Sequence, residues 1–234
     1  MSQAKLTHHN DFIFRREDEG VRFIRDFEGM YAHCEDPHGQ SQELRNLSYQ
    51  LVAKTLERAA TELTAQGQRD LSILDIGCGL GYFTGFIKHL IPQAFVCGID
   101  IAASALAKAA RIAPDCVFEV ADLKAPSLSV AAGRSFHIAV ALDSLYYFQD
   151  DEIGQVLRNI CALLADGGFL MVGYHLPEQM NFGRYIRSLD DARTLMSQHG
   201  MRIVYSFDVY NDLDQTYAQA PTGRHLYFLA RKGV

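Results

Sequence analysis

The chain has 234 residues, with 22 Lys or Arg against 28 Asp or Glu, 48% apolar and 21% charged residues. This is the make-up of one packed domain, and the net charge of −6 argues against affinity drawn from clustered basic residues on a nucleic-acid backbone. No apolar run approaches the roughly 18–20 residues of a membrane helix, and the polar start lacks a secretory core.

In chain order, Val21, Ile24, Phe27 and Met30 recur at helical spacing, as do Leu44, Leu47, Leu51 and Leu56, with Ser41 placed to cap the second helix. A turn-rich stretch over 32–40 separates the two. Gly67 marks a polar break over 65–70, so 1–66 reads as a helical cap or lid and 67–234 as the main domain. From there the pattern alternates. Strands are expected over 71–76, 95–99, 116–120, 136–142 and 169–174, and helices over 81–91, 104–112, 151–164 and 192–199. Two last β-rich stretches, 202–210 and 225–230, have no clear helix between them and suggest a hairpin on the sheet edge. Continuous apolar strands alternating with helices predict an α/β, Rossmann-like parallel sheet covered on both faces. The cysteines (Cys34, Cys78, Cys97, Cys116 and Cys161) are widely spaced without a C-x-x-C, as reduced core thiols in a cytoplasmic protein would be.

The first strand runs into Leu74-Asp-Ile-Gly-Cys-Gly-Leu-Gly81, a glycine turn at the start of a helix. Such a turn lets a ligand approach the backbone. Gly77, Gly79 and Gly81 do not follow the dinucleotide spacing, because Tyr82 takes the place of the third glycine. Asp75 just before the turn would repel a pyrophosphate and welcome a cationic tail. Asp100 ends the second strand, where a carboxylate accepts from ribose hydroxyls, and Asp122 follows the third, placed to accept from an adenine amino group with Leu123 against the ring. A cationic amino acid, a ribose and an adenine together describe S-adenosylmethionine.

The motifs at 74–81, Asp100, Asp122-Leu123 and Leu163-Leu-Ala-Asp-Gly-Gly168 resemble those of class I S-adenosylmethionine-dependent methyltransferases, from Leu71 to the end of the chain. The resemblance implies a seven-stranded sheet whose last strand is antiparallel. It also implies that Asp75 and the backbone at Gly77 and Gly79 face the methionine part, Asp100 holds the ribose, Ile101 and Leu123 sandwich the adenine and Asp122 binds its amino group. Cys78, Gly81 and Leu142 complete the expected cofactor set. Tyr31, Asp36-Pro37 and Leu145-Tyr146-Tyr147 are more weakly similar to small nodulation-type N-methyltransferases acting on sugar amines, although His38 stands where those have tryptophan.

The acceptor is expected beyond the carboxyl ends of the fourth and fifth strands. His175 is the first candidate for a general base, Asp143 for orienting an ammonium or hydroxyl, and Tyr31, His38, Tyr146 and Tyr147 for lining the pocket. No histidine has metal-ligand spacing, so no metal is assigned. The reading is methyl transfer to N or O of a small molecule by a monomer or homodimer. No membrane partner is expected, and no nucleic-acid partner either, the chain lacking an N/D-P-P-Y/F motif. A non-catalytic subunit of a heteromeric methyltransferase and a nicotinamide oxidoreductase are the alternatives.

Overall fold

The computed structural model describes residues 10–17, 20–176, 183, 185–210 and 224–233. After a single helical turn, α1 (Asn10–Ile13), the chain forms a hairpin of β1 (Phe14–Glu17) and β2 (Gly20–Phe23), in which Phe14 pairs with Phe23 and their rings stack. This corrects the helix expected through Val21 and Ile24. The backbone leaves β2 through Arg25 at φ 60°, and Asp26 then accepts from the Gly29 N–H and starts α2 (Phe27–His33). Spacing of three among apolar residues was met by a strand, a turn and a helix in succession.

The second predicted helix is also split. The Asp36 carboxylate accepts from the N–H groups of Gln40 and Ser41, so Asp36, not Ser41, caps the short α3 (Gln40–Glu43). The long α4 (Leu47–Ala65) starts after Asn46. Its buried stripe is Tyr49, Val52, Leu56, Ala59, Ala60 and Leu63, whereas Leu47 and Leu51, expected on that stripe, are exposed.

The main sheet contains β3 (Ser72–Ile76), β4 (Phe95–Asp100), β5 (Val117–Val120), β6 (Phe136–Leu142), β7 (Leu164–Leu176), β8 (Met201–Tyr210) and β9 (Arg224–Lys232). Their order is β5-β4-β3-β6-β7-β9-β8, parallel from β5 to β7, with β9 antiparallel to both its neighbours. The last strand is therefore inserted inside the sheet, and β8 forms the edge. β7 begins earlier than expected. Leu164 pairs with Phe136 before residues 165–168 loop out, and pairing resumes at Phe169 with Ile138.

Successive residues of each strand serve opposite faces. Ile73, Ile138, Val140, Phe169 and Met171 pack under α4 and α5 (Tyr82–Leu90), while Leu74, Ile76, Leu170 and Val172 pack with α7 (Ile153–Leu163) and α8 (Leu189–Gln198). A third cluster joins Ile13, Met30 and Tyr31 to Leu80 and to Ala102 and Ala105 at the start of α6 (Ala103–Ile112). Lys108 of α6 donates to the carbonyls of Tyr31 and Cys34, which ties α2 down. Among the described residues of this segment, α1 and α2 pack against Leu80 and the start of α6, and α4 is a layer of the sheet core.

Leu56 tests that division, being fully buried between α4 and the sheet. Leu56→Ala is expected to destabilise the whole chain by about 2–5 kcal/mol in urea unfolding. A loss below about 1 kcal/mol would mean that α4 is an appendage.

Candidate functional site

The sheet order reverses between β3 and β6, and beyond the carboxyl ends of these strands lies a cleft of about 850 Å³. Gly77 of the glycine turn lines it, and the folded turn from Gly77 to Gly81 has no free N–H. Gly77 and Cys78 donate to the Ile99 carbonyl, Gly79 to the Asp100 carboxylate, Leu80 to the Gln40 side chain and Gly81 to the Cys78 carbonyl. A phosphate-binding turn needs those donors pointing at its ligand. Here the protein consumes them.

Only Gly77 of the three glycines lines the cleft. A Cβ on Gly79 would stand 2.5 Å from the Tyr31 hydroxyl and 2.6 Å from Gln40 Oε1, and one on Gly81 2.8 Å from the Cβ of Ala109. All three have positive φ, so glycine is required, but at Gly79 and Gly81 it makes room for protein and not for a ligand. Cys78 is buried, its Sγ against Gly98, and reaches only a small recess at the end of the cleft.

The remaining supply is carboxylate. Asp100 accepts from Gly79 N on one oxygen and from Ala102 N on the other, both at 2.9 Å, which leaves further lone pairs toward the cleft it lines. Its burial pushes its pKa up against those backbone hydrogen bonds. Ile101, 48% exposed, and the buried Leu123 are apolar walls. Asp122 is exposed and accepts from Lys124 N. In the recess, Asp75 accepts from the Thr84 hydroxyl at 2.6 Å, and burial raises its pKa to about 7 despite that hydrogen bond. Glu43, which accepts from the Tyr49 hydroxyl, lines both cleft and recess.

Asp143 follows β6 with φ 49°, its N–H still on the Gly173 carbonyl. It lines the cleft, and both carboxylate oxygens are buried without a hydrogen-bond partner. A left-handed Asp is permitted but costs backbone energy, and an unsatisfied buried carboxylate costs more, so the position is a polar deficit facing the cleft. Two cations also line the cleft, Arg25 and Lys124, and both are held by Glu152 at 2.6 and 3.3 Å.

From the amino-terminal segment, Tyr31 and His38 line the cleft with rings 6.2 Å apart, and Tyr146, Tyr147 and Leu142 line it from the sheet side. Burial pushes the Tyr147 hydroxyl up to about 12. His175, the expected base, does not line the cleft among the described residues; it is hydrogen-bonded to His225. Gln40, Glu43, Arg25, Lys124 and His225 were not singled out in the sequence, since long-range packing alone brings them here. No group of His, Cys, Asp and Glu able to hold a metal occurs among the described residues, and no helix there is long and apolar enough to cross a membrane.

Residues 73–168 match the family model described as a methyltransferase domain. The matched stretch, less than half of the chain, runs from β3 through the glycine turn to the end of the loop after α7. Among curated relatives, the chain is 27% identical over 133 residues to a malonyl-[acyl-carrier protein] O-methyltransferase of Bacillus anthracis, covering 53% of this chain and 47% of that protein. It is 38% identical over 100 residues to a trans-aconitate 2-methyltransferase of Escherichia fergusonii, covering 43% and 37%. The matched stretch thus spans less than half the length of these relatives. The fold is similar to that of the N-methyltransferase NodS of Bradyrhizobium japonicum in complex with S-adenosyl-L-homocysteine (TM-score 0.60, 18% identity, 88% and 98% of the two chains). It is also similar to the magnesium protoporphyrin IX methyltransferase of Synechocystis with bound S-adenosylmethionine (TM-score 0.57, 17% identity, 99% and 100%).

Two variants test the site. Asp100→Ala is expected to weaken S-adenosylhomocysteine binding by about 1–3 kcal/mol by calorimetry, and an unchanged affinity would remove Asp100 from the site. For Asp75, the unfolded chain releases the proton near the ordinary carboxylate value, while the folded chain keeps it until about pH 7. The burial penalty therefore grows between those values and is complete above the higher one. Asp75→Asn should match the parent near pH 4 and exceed its stability at pH 8 by something on the order of a few kcal/mol in denaturant unfolding. A gain that does not depend on pH would contradict the assignment.

Proposed function

We propose that the chain is an S-adenosylmethionine-dependent methyltransferase acting on a proton-bearing nitrogen or oxygen of a small molecule. The observation that carries this reading is the polarity of the cleft: every N–H from Gly77 to Gly81 is spent inside the protein, while Asp100, Asp122, Glu43 and Asp143 line the space. Such a cleft suits a guest with a ribose, an adenine and positive charge, and disfavours the pyrophosphate of a nicotinamide cofactor. In this reading Asp100 holds the ribose hydroxyls, Ile101 and Leu123 hold the adenine, Asp122 takes its amino group, and the recess with Asp75 and Glu43 takes the ammonium end.

Bound S-adenosylmethionine supplies an electrophilic methyl group on a sulfonium. The chain's own part is to place the acceptor in line and exclude water. Tyr31 and His38 of the amino-terminal segment and Tyr146 and Tyr147 opposite enclose the acceptor space. Asp143 orients the acceptor by taking a hydrogen bond from it, since neither carboxylate oxygen has a hydrogen-bond donor in the structure. A carboxylate acceptor would be repelled at this position, so esterification is not the expected reaction.

In thermal unfolding, S-adenosylhomocysteine at a hundredfold excess over its Kd should stabilise the chain by about 2.7 kcal/mol, and NAD should not. Methyl-labelled S-adenosylmethionine with a panel of amines, alcohols and carboxylic acids should label amines or alcohols. Labelled methyl esters alone would overturn the acceptor assignment, and binding without transfer to any compound would point to a non-catalytic subunit.

A further inference from the structure

The β7–β9 ladder sets His175 directly opposite His225, fifty positions away in the chain. Their rings are 4.5 Å apart, and His175 Nδ1 lies 2.8 Å from His225 Nε2, a hydrogen bond in which one ring donates and the other accepts. The other ring nitrogen of His225, Nδ1, lies 3.7 Å from Oδ1 of Asp143. His225 is buried and His175 half-buried. A carboxylate and two imidazoles therefore stand in line, from the cleft wall at Asp143 to the half-exposed end of β7.

We propose that Asp143, His225 and His175 form a proton relay, in which Asp143 accepts the acceptor's N–H or O–H and the two imidazoles carry away the proton that methylation releases. This rests on the methyl-transfer reading and adds the route by which that site disposes of its proton. As the acceptor's new bond to carbon forms, the sulfur–methyl bond breaks and its electron pair stays on a neutral thioether. The acceptor's proton goes to the Asp143 carboxylate and on to His225 Nδ1. The His225 Nε2 proton moves to His175 Nδ1, and the proton on His175 Nε2 leaves for solvent. One proton enters and one departs, Asp143 returns to its carboxylate form, and both imidazoles end neutral.

The surroundings of His175 favour its neutral form. Burial and the neighbouring His225 ring hold His175 down to about 4, with the Asp143 charge pulling the other way, so it transmits a proton without retaining it at neutral pH. From β9, Tyr227 stacks on His225, and Arg224 is paired with Asp208 of β8. Tyr146 faces His175 from the turn after β6. In the proposed acceptor contact Asp143 touches the substrate, whereas His225 and His175 act through it and are positioning residues.

Two experiments on the full chain test the relay. In the first, ¹⁵N-histidine NMR is recorded with and without S-adenosylhomocysteine. The His175 ring should stay neutral well below the free value of about 6.5, and Asp143→Asn should move the His225 resonances. A His175 titration near the free value, with His225 resonances indifferent to Asp143→Asn, would overturn the relay whatever the acceptor is. In the second, an acceptor found in the labelled panel is used with His175→Gln. The kcat should fall about tenfold at pH 7 and recover toward pH 9, where the acceptor sheds its own proton, with KM within about twofold. An unchanged kcat and pH profile would overturn the relay. Unaltered S-adenosylhomocysteine affinity of the variant checks its fold, and failure of the parent chain to bind that probe would instead remove the methyl-transfer reading.

Discussion

The carboxylate of Asp100 joins the ends of two neighbouring parallel strands, and the site is built around that join. One oxygen accepts from Gly79 in the turn after β3, and the other from Ala102 at the start of α6. These charge-assisted bonds satisfy two N–H groups that would otherwise be orphaned at helix and turn ends. They also close the glycine turn tightly enough for Gly77 and Cys78 to share the Ile99 carbonyl and for α5 to begin at Tyr82. With its donors turned inward, the turn presents little but Gly77 to the cleft, whose charged lining is made of the carboxylates Glu43, Asp100, Asp122 and Asp143 and of Arg25 and Lys124, both held by Glu152.

The amino-terminal segment is fitted to the same turn. Tyr31 and Gln40 occupy the space that a side chain at Gly79 would fill, and Gln40 takes the Leu80 N–H. Arg25 and Lys124 meet on Glu152, so the β2–α2 corner, the segment after β5 and the start of α7 share one ion cluster at the cleft rim. A half-buried cluster of this kind fixes geometry more than it adds stability. The carboxylate of Asp143, by contrast, has no hydrogen-bond donor and stands 3.7 Å from His225 Nδ1.

Much of the sheet was legible in the sequence, because buried parallel strands are continuous apolar runs and each ends in a recognisable turn. Strand 136–142 has the same bounds in the structure, and most of the other elements differ by a few residues. The amino-terminal segment was not legible. The spacing of Val21, Ile24, Phe27 and Met30 satisfies a helix on paper, but a positive φ at Arg25 and the capping Asp26 divide it between hairpin and helix. In α4 the stripe runs through Tyr49, Val52 and Leu56, one step round from Leu47 and Leu51. At the site, Asp75, Asp100, Asp122 and Asp143 were readable from their places at strand ends. The burial of Gly79 and Gly81 against protein, and the pairing of His175 with His225, depend on contacts that no local pattern encodes.

The central claim is that carboxylates at successive strand ends, and not turn N–H groups, receive the cofactor. A crystal structure of the chain with S-adenosylhomocysteine tests it most directly. The account predicts the ribose hydroxyls on Asp100, the adenine between Ile101 and Leu123 and the amino-acid end in the recess beside Asp75 and Glu43, with the N–H groups from Gly77 to Gly81 still bonded inside the protein. A complex in which the turn opens to donate those N–H groups to the ligand, or in which Asp100 makes no contact with it, would contradict the claim.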